Sequence, residues 1–180
     1  MYDLNQKPNL KPFRDYDEHD VVNLFSYSGT LPVNKGTIVK IVGNGWKNTD
    51  EIELLGSPGN AFGNTVAERY GVAAKVGTAA SGEAGLGVLL YDVKETDENG
   101  EKLIFNPRKA AEMNVAVSGQ AVPVATRGTF LYSGVAGSPT AGGTAYWNGS
   151  EISSVTGASS IGTFLGAKDS DGNVLVRINL

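Results

Sequence analysis

The sequence predicts an all-β protein: two repeated small β-barrel or sandwich units, an extended N-terminal arm, and one short helix between the repeats. Three observations lead there. First, the chain says nearly the same thing twice, with three blocks kept in one order. Pro32-Val33-Asn34-Lys35-Gly36-Thr37 returns, one residue longer, as Pro123-Val124-Ala125-Thr126-Arg127-Gly128-Thr129. Trp46 with Glu51-Ile52 returns as Trp147 with Glu151-Ile152. Gly87-Val88-Leu89-Leu90 with Asp97-Glu98-Asn99-Gly100 returns as Gly162-Thr163-Phe164-Leu165 with Asp169-Ser170-Asp171-Gly172. Second, 24 glycines in 180 residues suit a turn-rich β protein and not a helical one. Third, the apolar runs are short and rich in β-branched residues, and most end at Gly or Asn.

Residues 1–20 read as an extended arm. Two prolines, Pro8 and Pro12, push the residues before them toward extended backbone, and the segment Asp15-Tyr16-Asp17-Glu18-His19-Asp20 is acidic. Alone the arm buries too little apolar area to offset its ordering. Its spaced anchors Tyr2, Leu4, Leu10, Phe13 and Tyr16, with Arg14 among them, are those of a segment that lies on another surface; the alternative is a frayed terminus.

Residues 21–105 form the first unit. Val21 to Tyr27 is β-rich, and Gly36 to Val42 is a strong strand candidate, closed by Gly43-Asn44-Gly45. Glu51 to Leu55 and Val72 to Val76 are further candidates, with a loop between them. Gly87 to Val93 runs to a turn at Asp97-Glu98-Asn99-Gly100, where Asn-Gly suits the backbone of a tight hairpin, and Glu101 to Phe105 returns as a strand. Residues 106–113 are a helical connector: Asn106 caps, Pro107 fits the first position, and Ala110-Ala111-Glu112 propagates.

Residues 114–180 form the second unit, with strands at Val115 to Val117, Gly128 to Tyr132, Thr144 to Trp147, and Gly162 to Ala167. The terminal run Val174-Leu175-Val176-Arg177-Ile178-Asn179 alternates apolar and polar and is expected to pair within a sheet, because an exposed edge invites aggregation. Two such units make two abutting small barrels, or one larger sandwich or barrel.

The composition excludes several function classes. The net charge is −4, with no basic stripe for nucleic acid. No cysteine is present, so disulfides, thiolate metal sites and thiol nucleophiles are excluded together. No apolar run approaches the ~20 residues that span a bilayer, and the first residues lack the pattern of a secretory signal.

No reactive constellation emerges, and no enzyme activity, metal or cofactor is expected. His19 is the only histidine, and it sits in the arm without a scaffold. The acids around it point to alternate sides of an extended chain. Asp169-Ser170-Asp171-Gly172 brings its glycine too early for a calcium loop and ends in Leu180 where glutamate is needed; it reads as a turn. Gly82 to Gly87 is glycine-rich but lacks the Lys-Ser/Thr of a phosphate loop. Asn148-Gly149-Ser150 matches a glycosylation sequon. Lys35 and Arg127 hold equivalent places before Gly-Thr and are candidates for a subunit interface. Trp46 and Trp147 are read as core residues, since framework duplicates more readily than a binding patch.

The second half resembles a known group. Asn106-Pro107-Arg108-Lys109-Ala110-Ala111-Glu112 followed by Val117-Ser118-Gly119-Gln120-Ala121-Val122-Pro123-Val124-Ala125-Thr126-Arg127-Gly128 is similar to the central stretch of cement, or head decoration, proteins of tailed bacteriophages. The match is good over residues 106–132 and elsewhere extends only to length, β content and arm. The resemblance implies a structural virion protein, made in the host cytoplasm and located on the outer capsid surface. It would bridge neighbouring major capsid proteins as a homo-oligomer, dimer or trimer, with the arm reaching the shell. It brings no catalytic residues. Two other readings stand beside it. One is a carbohydrate- or host-binding β module of a phage fibre or adhesin, whose tryptophans and tyrosines stack on sugars. The other is a hydrolase on a β scaffold, for which a lone His19 leaves little room.

Overall fold

The computed structural model describes residues 10–12, 20–43, 45, 74–157 and 159–180. Within them the protein is all-β, with a single short α-helix. Sheet A is antiparallel and contains β1 (Leu10–Pro12), β10 (Arg127–Ser133), β14 (Asn173–Asn179), β13 (Ser159–Phe164), β11 (Thr144–Trp147) and β12 (Ile152–Ser153), in that spatial order. Sheet B runs β2 (Val21–Val22), β9 (Val124–Ala125), β6 (Gly87–Leu89), β4 (Ile38–Val42), β5 (Lys75–Thr78) and β3 (Ser26–Tyr27). A parallel pair, β7 (Asp92–Lys94) with β8 (Val115–Val117), makes a small third sheet.

Sheet B is the middle layer, and its alternation shows why. Ile38 of β4, Val88 of β6 and Ala125 of β9 join the main core with Phe130, Tyr132, Trp147, Phe164, Val174, Val176 and Ile178 of sheet A. Their immediate neighbours Val39, Leu89 and Val124 turn to the opposite face and pack with Phe25, Tyr27, Val33, Val76 and Val93. A strand apolar on both faces is what a layer covered on both sides requires. Two buried hydrogen bonds tie the sheets together: Tyr132 donates its hydroxyl to the Gly36 carbonyl at 2.9 Å, and Trp147 Nε1 donates to the Ala79 carbonyl at 2.7 Å. Trp147 therefore has the core role read for it; Trp46 lies outside the described residues.

The chain crosses from sheet B to sheet A at Thr126, between β9 and β10. Thr126 donates its N–H to the Asp20 carbonyl at 2.8 Å, and its own carbonyl accepts from Leu180 N at 2.9 Å. This corner joins the end of the arm segment, at Asp20, to the end of the second unit.

The pairing does not follow the two halves of the sequence. β9, from the second half, completes sheet B beside β6. The matching blocks become neighbours in sheet B, where β4 pairs with β6, but in sheet A β14 separates β10 from β13. One core spans both halves, so the two repeated units are not seen as separate bodies.

The short helix α1 (Pro107–Glu112) matches the predicted connector. The Asn106 side chain accepts from Lys109 N at 3.2 Å, and Pro107 occupies the first turn. Other elements differ from expectation. The run Val21 to Tyr27 breaks at Asn23-Leu24-Phe25 into β2 and β3, which form the two opposite edges of sheet B. The predicted return strand at residues 101–105 is reduced to one bridge, Thr96 with Lys102, before a 3-10 turn at Leu103–Phe105. Burial of Leu103 with Ala110 and Val117 under α1 turns the chain away from the hairpin. The candidate strand at residues 51–55 lies outside the described residues.

Candidate assembly surface

The outer face of sheet A is built by the period of two. On β10 and β14 the side chains of Phe130, Tyr132, Val174, Val176 and Ile178 enter the core. Thr129, Leu131, Leu175, Arg177 and Asn179 take the other face. The register places Thr129 opposite Arg177, Arg177 opposite Thr163, and Thr163 opposite Thr144, a row across four strands. A basin of about 370 Å³ opens beside Arg177, walled by Ser160, Gly162, Thr163 and Asn179. At the next row Arg127 Nε donates to Asn179 Oδ1 at 3.1 Å. Arg177 has no carboxylate partner among the described residues.

Of the expected arm residues, Leu10 falls in β1, which pairs antiparallel with β10 so that Leu10 stands opposite Tyr132. This part of the arm is an edge strand of the body's own sheet. Tyr2, Leu4, Phe13, Arg14 and Tyr16 lie outside the described residues. Lys35 is half-buried in the turn before β4, where its N–H donates to Asp92 Oδ1 at 2.8 Å. Arg127 is exposed at the start of β10. The two equivalent positions thus differ in setting and partner, one in the turn that enters sheet B and the other at the start of a strand of sheet A. Arg177 and Thr163 were not singled out by sequence. The signal for Arg177 was the terminal alternation, which puts it on the face opposite Val174, Val176 and Ile178.

A concavity of about 560 Å³ lies between Tyr27, Thr78, Trp147 and Ser150. Tyr27 and Thr78 share a hydroxyl hydrogen bond at 2.8 Å across its wall. Its lining has hydroxyls but, among the described residues, no carboxylate or imidazole to activate them. No three His, Asp or Glu side chains converge among the described residues. No described helix is long and apolar enough to cross a membrane.

The perturbed titrating groups serve the framework. Asp97 has a fully covered side chain that meets the Lys109 ammonium and accepts from Asn99 N and Glu101 N at 2.8 and 2.9 Å. The ammonium and these N–H groups hold its carboxyl below the usual range, and the same pair raises Lys109. Glu83 is lowered by Lys40 and by the Ala80 N–H. Asp169 is lowered by N–H groups of its own turn, first that of Asn173. Burial pushes the Tyr132 phenol up.

Against known proteins the chain finds no match: no family model, no curated protein and no solved structure is significantly similar to it.

Proposed function

We propose that this protein is a structural virion protein that binds the outer surface of a bacteriophage capsid and cements neighbouring major capsid proteins, acting as a homo-oligomer. The observation that carries the reading is the stretch from Asn106 to Tyr132, with its capped helix and its Ala121-Val122-Pro123-Val124 and Arg127-Gly128 sequence, which resembles phage head decoration proteins. The architecture supports it. A single core pinned across two sheets makes a stiff body, and a broad sheet face lies open for contact. Many modest contacts repeated by symmetry give avidity without one strong site.

The sugar-binding alternative calls for aromatic rings exposed along one face. The described rings are buried or half-buried, except for Phe105, which weighs toward the capsid reading.

The test is co-sedimentation with expanded empty capsids, using the whole chain and a chain lacking residues 1–9. This truncation stops short of β1 and of Asp20, whose carbonyl holds Thr126. The whole chain is expected to saturate at a stoichiometry matching lattice sites. The truncated chain is expected to melt as the whole chain does and to bind at least tenfold more weakly. Full occupancy by the truncated chain overturns the role given to the arm, and no binding by the whole chain overturns the function.

A further inference from the structure

We propose that the outer face of sheet A docks the capsid shell, and that Arg177 receives a carboxylate of the shell protein in the basin beside it. This rests on the capsid-decoration reading and adds the contact surface and its chemistry.

Charge distribution is the first argument. The whole chain carries −4, yet among the described side chains the strands of sheet A carry Arg127 and Arg177 and no Asp or Glu. A sheet face with cations and no acid, in a protein acidic overall, is complementary to a carboxylate-bearing surface. On the capsid-decoration reading the shell protein is the partner that supplies the carboxylate, and an acidic patch on it is the complement of this face.

Local geometry is the second. Arg177 stands on β14, which is paired on both sides, by β10 and β13, so the guanidinium rises from an interior strand and not from a frayed edge. Thr129 and Thr163 flank it in register. The basin of about 370 Å³ beside it has room for an incoming side chain, with the hydroxyls of Ser160 and Thr163 on its wall. A carboxylate entering there meets the planar fork of the guanidinium, which offers two parallel N–H donors, and the hydroxyls can take its remaining lone pairs. The next row, Leu131 with Leu175, is half-buried and gives apolar contact beside the ion pair. Arg127, already bonded to Asn179, sits one row away toward the rim. An arginine at the centre of a face, ringed by small polar groups and apolar neighbours, has the composition of an interface hot spot.

The experiment is capsid co-sedimentation across a salt series with the whole chain, Arg177→Glu, Arg177→Lys, Thr163→Asp and the distant control Arg108→Glu, an exposed helix cation paired with Glu112. Arg177→Glu is expected to weaken capsid binding by about tenfold or more, with unchanged melting and unchanged oligomeric state. Arg177→Lys keeps the charge but not the fork and falls between. Thr163→Asp sets a carboxylate across from Arg177, engages the guanidinium and gives a similar loss. Arg108→Glu binds as the unchanged chain does. Equal binding by the whole chain and Arg177→Glu overturns this docking face and leaves capsid decoration standing. A change of oligomeric state by Arg177→Glu shows a contact between copies and overturns the inference. Failure of the unchanged chain to bind any capsid removes the functional reading, and this inference with it.

Discussion

The block at residues 87–100 and the block at residues 162–172 repeat each other in sequence, and the structure shows what the repetition encodes. Gly87 and Gly162 do the same task. A Cβ at Gly87 would lie 2.4 Å from the Ala125 carbonyl oxygen of β9, and one at Gly162 would lie 2.0 Å from the Arg177 carbonyl oxygen of β14. Each glycine lets a neighbouring strand come close. The turns that follow also agree bond for bond. Asp97 accepts from Asn99 N and Glu101 N, and Asp169 accepts from Asp171 N and Asn173 N, with Gly100 and Gly172 both at positive φ. The difference lies in what surrounds these devices. β6 sits beside β4 in sheet B, whereas β13 is parted from β10 by β14 in sheet A. Repetition therefore fixes local geometry and leaves the strand order free.

The largest effects should come from filling the two glycines. Gly162→Ala forces β14 to move by more than an ångström and should destabilise by about 3 kcal/mol or more; Gly87→Ala should cost about 1–3 kcal/mol. Gly166, where an added Cβ meets nothing within 4 Å, is the control, and Gly166→Ala should stay within ~0.5 kcal/mol. Urea unfolding of the three variants checks this. If Gly87→Ala and Gly162→Ala behave like Gly166→Ala, the shared role of the two glycines is wrong.

Next in size is the tie between the halves. Tyr132, in the second half, donates to the carbonyl of Gly36, in the first. Tyr132→Phe keeps the ring and strands that carbonyl in the core, for a loss of about 1–3 kcal/mol. Because one core spans both sheets, unfolding followed by fluorescence and by circular dichroism should remain a single coincident transition. Two separated transitions would mean that the halves are independent units after all.

How far the sequence reveals this fold depends on the range of the forces. The all-β class, the capped helix at Asn106-Pro107, the Asp-x-x-Gly turns and the strand at Thr144–Trp147 rest on local rules and were readable. The terminal strand was readable too, because Val174, Val176 and Ile178 alternate with Leu175, Arg177 and Asn179. Strand order was not, since which strand β14 separates from which depends on contacts distant in sequence. The split of Val21 to Tyr27 was hidden for the same reason: both fragments are β-rich, and only the far partners β9 and β5 set them at opposite edges. Of the candidate surface, Lys35 and Arg127 stood out through repetition, but repetition marks framework. Arg177 has no counterpart in the first half, and it stands out only through the absence of acids on strands that become neighbours after folding.

The smallest predicted effect returns to the two turns, and it separates them by pH. Both aspartates have carboxyls held below the ordinary 3.8, so both favour the folded state above that value and lose the contribution as pH falls through the lowered pKa. Their causes differ. The first for Asp97 is the Lys109 ammonium, in a covered site; the first for Asp169 is the Asn173 N–H, in an exposed turn. Asparagine keeps an oxygen that accepts backbone N–H groups but brings no charge. Asp169→Asn should therefore leave the melting temperature close to that of the unchanged protein at neutral pH, and Asp97→Asn should lower it by several degrees. Below the lowered pKa of Asp97, its ion pair is gone in the unchanged protein as well, and the gap between it and Asp97→Asn should close. Lys109, raised above 10.5, loses its share only as pH rises past that raised value, so the gap should persist through the neutral and mildly alkaline range. Melting curves of the three proteins from acid to neutral pH decide it. If Asp97→Asn and Asp169→Asn track each other throughout, the Lys109 pair adds nothing to the turn, and the two copies of the device are equivalent in energy as well as in geometry.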